Sequence, residues 1–183
     1  MHAAFAAIPQ EGIKEQLASA ETLTGALQAH YERFRDQENP ECRAAVNAIP
    51  ALLNTLPDSF LSSLHAGIAH EDFTPDNLLF DENGVLAVID FDRNCLSFPL
   101  HDVGRALLSF ALHNDVLRPD FVSAFADGYR QHLPLSREDI RTSLLLTLCI
   151  EAPWWFRPLF FETDQGKATR FLQEILWVLN TLL

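Results

Sequence analysis

Lysine is scarce in this chain. Lys14 and Lys167 are its only two, and 25 acidic residues stand against 13 lysines and arginines for a formal charge of −12. Clustered basic side chains are what hold a phosphate backbone, so a nucleic-acid partner is excluded, although a nucleotide can still be held through a divalent cation. The acidity itself reads as ordinary solubilising surface charge. Glycine is sparse as well: none of Gly12, Gly25, Gly67, Gly84, Gly104, Gly128 and Gly166 forms part of a glycine-rich phosphate loop. Cys42, Cys95 and Cys149 are odd in number, widely spaced and free of any CxxC pattern, which suits reduced thiols and not a disulfide framework or a zinc site. Long apolar runs are missing too. "LLLTLCI" at 144–150 falls far short of the ~20 residues a bilayer demands, and "MHAAFAAIPQ" has neither a basic n-region nor a cleavage site. The expectation is a cytoplasmic protein with no membrane partner.

What is present is a chain of 183 residues with 48% hydrophobic content, enough to bury a core and short enough to be one domain. Residues 11–56 read as helical. Leu23, Leu27, Tyr31 and Phe34 recur three or four apart, and Asn39 followed by Pro40 makes an N-cap and first-turn pair. Pro50 is expected to kink or end that second helix, and 56–67 to be a connector. The period then changes. "NLLF" and "VLAVIDF" are short β-prone runs separated by "DENG", a tight-turn signal, so a buried hairpin is expected there. Helices resume with "HDVGRALLSFAL" and "PDFVSAFADGYRQHL". A capping box of Ser136 and Asp139 then opens a long apolar helix to about Trp155, and a last helix covers roughly 167–183.

The informative stretch is "AHEDFTPDNLLF" at 69–80. His70, Asp72 and Asn77 form HxDxxxxN, and Asp90 follows Asn77 by thirteen residues at the end of the second hairpin strand. Four fixed positions at this spacing arise by chance in about one sequence of this length in a thousand. Phosphoryl transfer asks for a carboxylate to accept the proton of an attacking hydroxyl and for oxygen ligands to hold Mg²⁺ against nucleotide phosphates. A loop carrying Asp72 and closed by Asn77, with a hairpin returning Asp90 to it, can supply both.

"HEDFTPDNLLF" and "VIDFD" resemble the protein-kinase-like superfamily, and within it the aminoglycoside phosphotransferase branch of small-molecule kinases. The resemblance implies a mainly α chain with a small β hairpin (α+β), equivalent to the C-terminal lobe of that fold. It implies Asp72 as catalytic base and Asn77 and Asp90 as ligands of Mg²⁺ and, through it, of ATP. His70 and Asp102 would be structural supports of the loop. The whole of 1–183 would be a single phosphotransferase-like domain, with a helical lead-in over 1–64, the catalytic loop and metal-binding hairpin over 65–100, and a helical substrate-side region over 101–183. Glu71 and Thr74 stand where protein kinases keep an arginine and a lysine, and eleven residues between Asp90 and Asp102 leave no room for an activation segment, so the acceptor is a small molecule. Members of the family carry an N-terminal lobe with a strand-borne lysine. Here the 69 residues before His70 read as helix, and Lys14 lies in polar "EGIKEQ".

Two readings follow. One is an ATP-dependent kinase acting on the hydroxyl of a small molecule such as an aminoglycoside, an amino alcohol or homoserine. The other is a non-catalytic nucleotide- or metal-binding module, or an inactive kinase remnant; self-association or a partner supplying the N-terminal lobe accompanies either. Asp92 is a candidate substrate or metal contact whose plainer reading is an exposed loop carboxylate. Glu151, Trp154 and Arg157, in the aromatic stretch 152–164 and just before it, are candidate substrate contacts, although aromatic residues at helical spacing are more often core.

Overall fold

A computed structural model describes residues 1–16, 20–56, 60, 64–114, 116–163 and 165–182. Helices dominate, and strands occur as short antiparallel pairs, which agrees with the mainly α expectation. In chain order the elements are α1 (His2–Phe5), α2 (Ala20–Phe34), α3 (Pro40–Asn47), α4 (Ile49–Thr55), β1 (Gly67–Ala69), β2 (Leu78–Asp81), β3 (Gly84–Val88), β4 (Cys95–Ser97), α5 (Pro99–Phe110), β5 (Leu112–His113), β6 (Val116–Leu117), α6 (Pro119–Arg130), α7 (Arg137–Trp155), α8 (Pro158–Thr163) and α9 (Gln165–Leu182). They divide into two compact units, Met1–Ala18 with Leu64–Leu144 and Ser19–Ser63 with Leu145–Leu183.

In the first unit β4 runs antiparallel to β1, pairing Gly67 with Ser97 and Ala69 with Cys95. The backbone of residues 14–16 lies along β4 as well, with Leu96 N–H donating to the Lys14 carbonyl (2.9 Å) and Gln16 N–H to that of Leu96 (3.2 Å). The helical reading of 11–56 therefore fails at its start, where ladder pairing outcompetes a short polar stretch with weak helical period. A Cβ on Gly67 would come within 2.9 Å of the Pro99 ring, so the absence of a side chain is what lets β1 lie against the start of α5. α5 presents Val103, Ala106, Leu107 and Leu108 to the interior, and all four are buried.

The β2–β3 hairpin forms as read, with Glu82 and Asn83 in its loop and Gly84 at φ 129°. Its burial does not. Leu79 is 44% exposed, Phe80 58%, Val85 58% and Leu86 66%, so both strands offer apolar side chains to the surface. A register irregularity between Leu79 and Phe80 interrupts the strict alternation that would have turned one face inward. β5 and β6, two residues each, carry too little pattern for the sequence to announce them.

In the second unit Asn39 caps α3 by accepting from the amides of Glu41 (3.1 Å) and Cys42 (3.0 Å). The helix opened by Asn39 and Pro40 ends at Asn47, as expected near Pro50, and Pro50 stands in the first turn of α4, where its missing N–H costs nothing. Leu23, Leu27, Val46, Ile49 and Leu52 form part of the buried core. In the first unit the Ser136 and Asp139 capping box is present at the start of α7, each backbone amide donating to the other's side chain at 2.7 and 3.0 Å. The expected connector at 56–67 lies in large part outside the described residues, and its end is already β1. Among the described residues no helix is long and apolar enough to cross a membrane.

Candidate functional site

β1 delivers the chain to His70, whose amide donates to Asp102 Oδ2 at 2.6 Å, and the next amide, of Glu71, donates to Asp102 Oδ1 at 2.9 Å. Asp102 lies in the first turn of α5 and is 1% exposed. These bonds to a buried carboxylate hold Glu71 at φ 64°, a left-handed conformation that costs an L-residue roughly 1–2 kcal/mol. The reversal aims Asp72 outward, its carboxylate about one third exposed.

The rest of the loop closes on itself. Thr74 N–H donates to the Asp72 carbonyl (2.9 Å), and the Asn77 side-chain amide reaches back to the same carbonyl at 2.8 Å. The Asn77 carbonyl in turn accepts from Ile89 N–H at 3.0 Å. His70 completes the circuit: its Nε2–H donates to the Ile89 carbonyl at 3.0 Å, and its ring sits between Phe73 and Phe91, with centroids 5.9 and 5.0 Å away. Asp90, the next residue, adopts φ 60° and ψ 61°, which aspartate tolerates better than most. The hydrogen bonds thus join His70, Asp72, Asn77 and Asp102 through the backbone of Ile89 and Glu71, and Asp90 follows Ile89 directly in the chain. Asp92 follows in a single 3₁₀ turn and is exposed. Glu151, Trp154 and Arg157 belong to the second unit, where the Arg157 guanidinium lies 5.0 Å from the Trp154 ring centre and its Nε donates to the Pro153 carbonyl at 2.9 Å.

Two features escaped the sequence reading. Arg93 Nη1 stands 3.7 Å from Asp72 Oδ2, a half-exposed contact of small energetic weight that nevertheless places a cation beside the loop carboxylate. A basic residue three positions after Asp90, one 3₁₀ turn on, was the available signal. The second is Glu71, buried with its Oε2 3.4 Å from His101 Nδ1. Burial alone would raise its pKa, but the bond and charge of His101, then the Ser97 hydroxyl and the charge of Arg93, hold it below its ordinary 4.5. A depressed carboxylate pKa contributes stability that is fully present above the unfolded value and is lost as pH falls through the folded one. Glu71→Gln is therefore expected to cost about 1–3 kcal/mol near neutrality. The gap between variant and parent in urea melts should shrink as the medium is acidified below the ordinary carboxylate range. A gap that stays constant down to strongly acidic pH would contradict this account.

The donor set suits a hard cation. Asn77 is fixed through its Nδ2, which leaves its side-chain oxygen free to coordinate, and Asp90 follows directly on the residue bonded to Asn77. One amide oxygen and one carboxylate, completed by phosphates and water, is the sparse protein ligation Mg²⁺ commonly takes. A cavity of about 310 Å³ opens behind Phe73, walled by Phe80, Val85, Phe110, Phe121 and Phe125 among others. Every side chain lining it is apolar, so it offers no grip for phosphate or cation.

Sequence and fold comparisons agree with this architecture. The chain is 31% identical over 112 residues to a homoserine kinase of Gluconobacter oxydans, an alignment covering 61% of this chain and 30% of that protein. A homoserine kinase of Phenylobacterium zucineum is 27% identical over 116 residues, 63% of this chain and 36% of that one. Among solved structures, wild-type aminoglycoside 2'-phosphotransferase-IIIa in its GDP complex superposes with a TM-score of 0.60 at 15% identity, over 96% of this chain and 58% of that one. A choline kinase of Cryptosporidium parvum Iowa II gives 0.58 at 14% identity, over 99% and 63%. The chain thus spans about a third of the length of the curated relatives it matches. A sequence model of the phosphotransferase enzyme family matches residues 1–138, and the chain belongs to that family.

Proposed function

We propose that the chain is the acceptor-side lobe of an ATP-dependent phosphotransferase that acts on a hydroxyl of a small molecule such as an aminoglycoside, an amino alcohol or homoserine. The observation that carries this reading is the Asn77 bridge. Its side chain holds the Asp72 carbonyl and its own carbonyl holds Ile89, so the candidate base and both candidate ligands ride on one hydrogen-bonded frame. Asp72 would accept the proton of the acceptor hydroxyl as the oxygen attacks phosphorus. Arg93 would hold the Asp72 carboxylate in place and oppose charge gathering on the transferred group. Asn77 and Asp90 would hold Mg²⁺, which supplies charge neutralisation at the phosphates. His70 and Asp102 fix the loop's path and need touch no substrate. Asp92, Glu151, Trp154 and Arg157 are proposed acceptor contacts, and 1–183 is proposed to act as one lobe. A donor nucleotide of this kind suits the cytoplasm.

Titrating the chain with Mg·ADP or Mn·ADP, and separately with the GDP complexes, should give saturable heat or amide shifts centred on Asn77 and Asp90. Asp90→Ala should weaken binding at least tenfold, the scale of losing one charged ligand contact. No binding at millimolar nucleotide, or binding indifferent to that substitution, would defeat the proposal. The alternative of a non-catalytic nucleotide- or metal-binding module draws on the exposed apolar hairpin. It predicts the same nucleotide binding with no turnover under any reconstitution.

A further inference from the structure

Asp102 has a third partner beyond the loop amides. His2, in the short helix α1, is 8% exposed, and its Nε2 lies 2.9 Å from Asp102 Oδ2, the same oxygen that accepts from His70 N–H. Its Nδ1 lies 2.9 Å from the hydroxyl of Tyr129 on α6. A carboxylate only accepts, so Nε2 must carry the proton it shares with Asp102. In the neutral ring Nδ1 then accepts from Tyr129 O–H, provided that the phenol keeps its proton. Burial and the nearby charges of Asp102 and Asp139 push that phenol up to about 12, so it does. Every hydrogen-bonding atom of the chain Tyr129–His2–Asp102 is thereby matched, donor to acceptor, through to the catalytic loop.

We propose that His2 is a positioning residue of the Asp72 loop: held in one tautomer by Asp102 and steadied by Tyr129, it fixes the Asp102 carboxylate on which the His70 and Glu71 amides hang. The value of this for phosphoryl transfer rests on the reading of Asp72 as base, whereas the positioning itself does not. The loop needs such support, because Glu71 is left-handed and its return to a relaxed conformation would swing Asp72 away. With two oxygens taking three donors, Asp102 is pinned in one rotamer, and removing the imidazole leaves only the two loop amides themselves to hold it there. α1 and α6 thus both bear on a loop that neither touches through a bond of its own in this network. Nothing in "MHAAFAAIPQ" announces this, since a lone histidine among alanines belongs to no motif.

The test uses the 183-residue chain and amide hydrogen exchange at His70 and Glu71, with the amides of Leu107 and Leu108 in α5 as the check on global folding. His2→Leu keeps bulk and loses the donor. It is expected to speed exchange at His70 and Glu71 on the order of tenfold while leaving the α5 amides unchanged. His2→Gln can place an N–H on Asp102 and is expected to stay within about twofold of the parent. In Tyr129→Phe the acceptor at Nδ1 goes unmatched while Asp102 still holds the proton on Nε2, so the His2 ring nitrogen signals should keep the Nε2-protonated pattern of the parent. Equal acceleration in the Leu and Gln variants, or none in either, would overturn the proposal. Should His2→Leu fail to fold, a parent His2 ring with no proton on Nε2 would overturn it alone. Measuring Mn·ADP affinity in parallel separates the two claims: a parent chain that binds no nucleotide counts against the kinase reading, and the exchange pattern still decides the role of His2.

Discussion

Asp102→Ala is expected to remove about 3–5 kcal/mol of folding stability, the range for breaking a buried charged contact by deleting one partner. The carboxylate is 1% exposed and takes hydrogen bonds from His70 N–H, Glu71 N–H and His2 Nε2–H, so alanine leaves three donors facing an apolar hole. A buried unpaired polar group costs about 1–3 kcal/mol, and local relaxation returns part of the sum. Against a total stability of about 5–15 kcal/mol for a typical domain, such a loss brings the fold near its threshold. Asp102→Asn should fall between parent and alanine, because its single carbonyl oxygen satisfies one donor while its NH₂ opposes another. Urea or thermal melts of the three proteins give the order directly. An alanine variant within about 1 kcal/mol of the parent would show that the loop is held by other means.

How far the sequence foretold this arrangement depends on what each residue's signal was made of. Helices announced themselves through period and caps, and Asn39–Pro40 and Ser136 with Asp139 behave as those rules require, because capping is settled within a few residues. The HxDxxxxN spacing located the loop because its chemistry demands fixed residue types at fixed intervals. What the sequence concealed was anything decided by distant partners. β4 collects β1 on one side and residues 14–16 on the other, a pairing of segments about thirty and eighty residues apart that no local period records. The exposure of Phe80, Val85 and Leu86 was hidden for the opposite reason: apolar β-prone runs look the same whether or not something covers them. His2, Tyr129 and Glu71 matter because of which buried oxygen or imidazole they meet, and composition around them is unremarkable.

The second large effect concerns turnover. Alone, the 183-residue chain is expected to transfer phosphoryl groups at least 10²- to 10³-fold more slowly than the same chain joined to a nucleotide-covering lobe from a longer relative, the usual scale for one absent preorganised charge contact. On the proposed reading Asp72 would take up a hydroxyl proton, and Asn77 with Asp90 would hold a cation. Arg93 is the basic side chain that the described residues bring against Asp72, and it is half exposed, where solvent weakens its hold on a phosphate. Gripping the β- and γ-phosphates from the opposite side, which fixes the in-line geometry, calls for a second set of contacts, and positioning of that kind is worth several powers of ten by itself. The assay is γ-labelled ATP, and in parallel GTP, with homoserine, a panel of amino alcohols and a panel of aminoglycosides, using the chain alone and the fusion. Activity should be near background for the chain and measurable for the fusion, and Asp72→Asn in the fusion should abolish it while leaving Mg·ADP affinity within a few-fold of the parent, since the base acts on the acceptor and not on the cation. Robust turnover by the chain alone that disappears with Asp72→Asn would mean that Arg93 and the loop suffice to hold the triphosphate. A fusion that binds nucleotide tightly and never turns over, with every acceptor offered, would instead assign the fold to binding without catalysis.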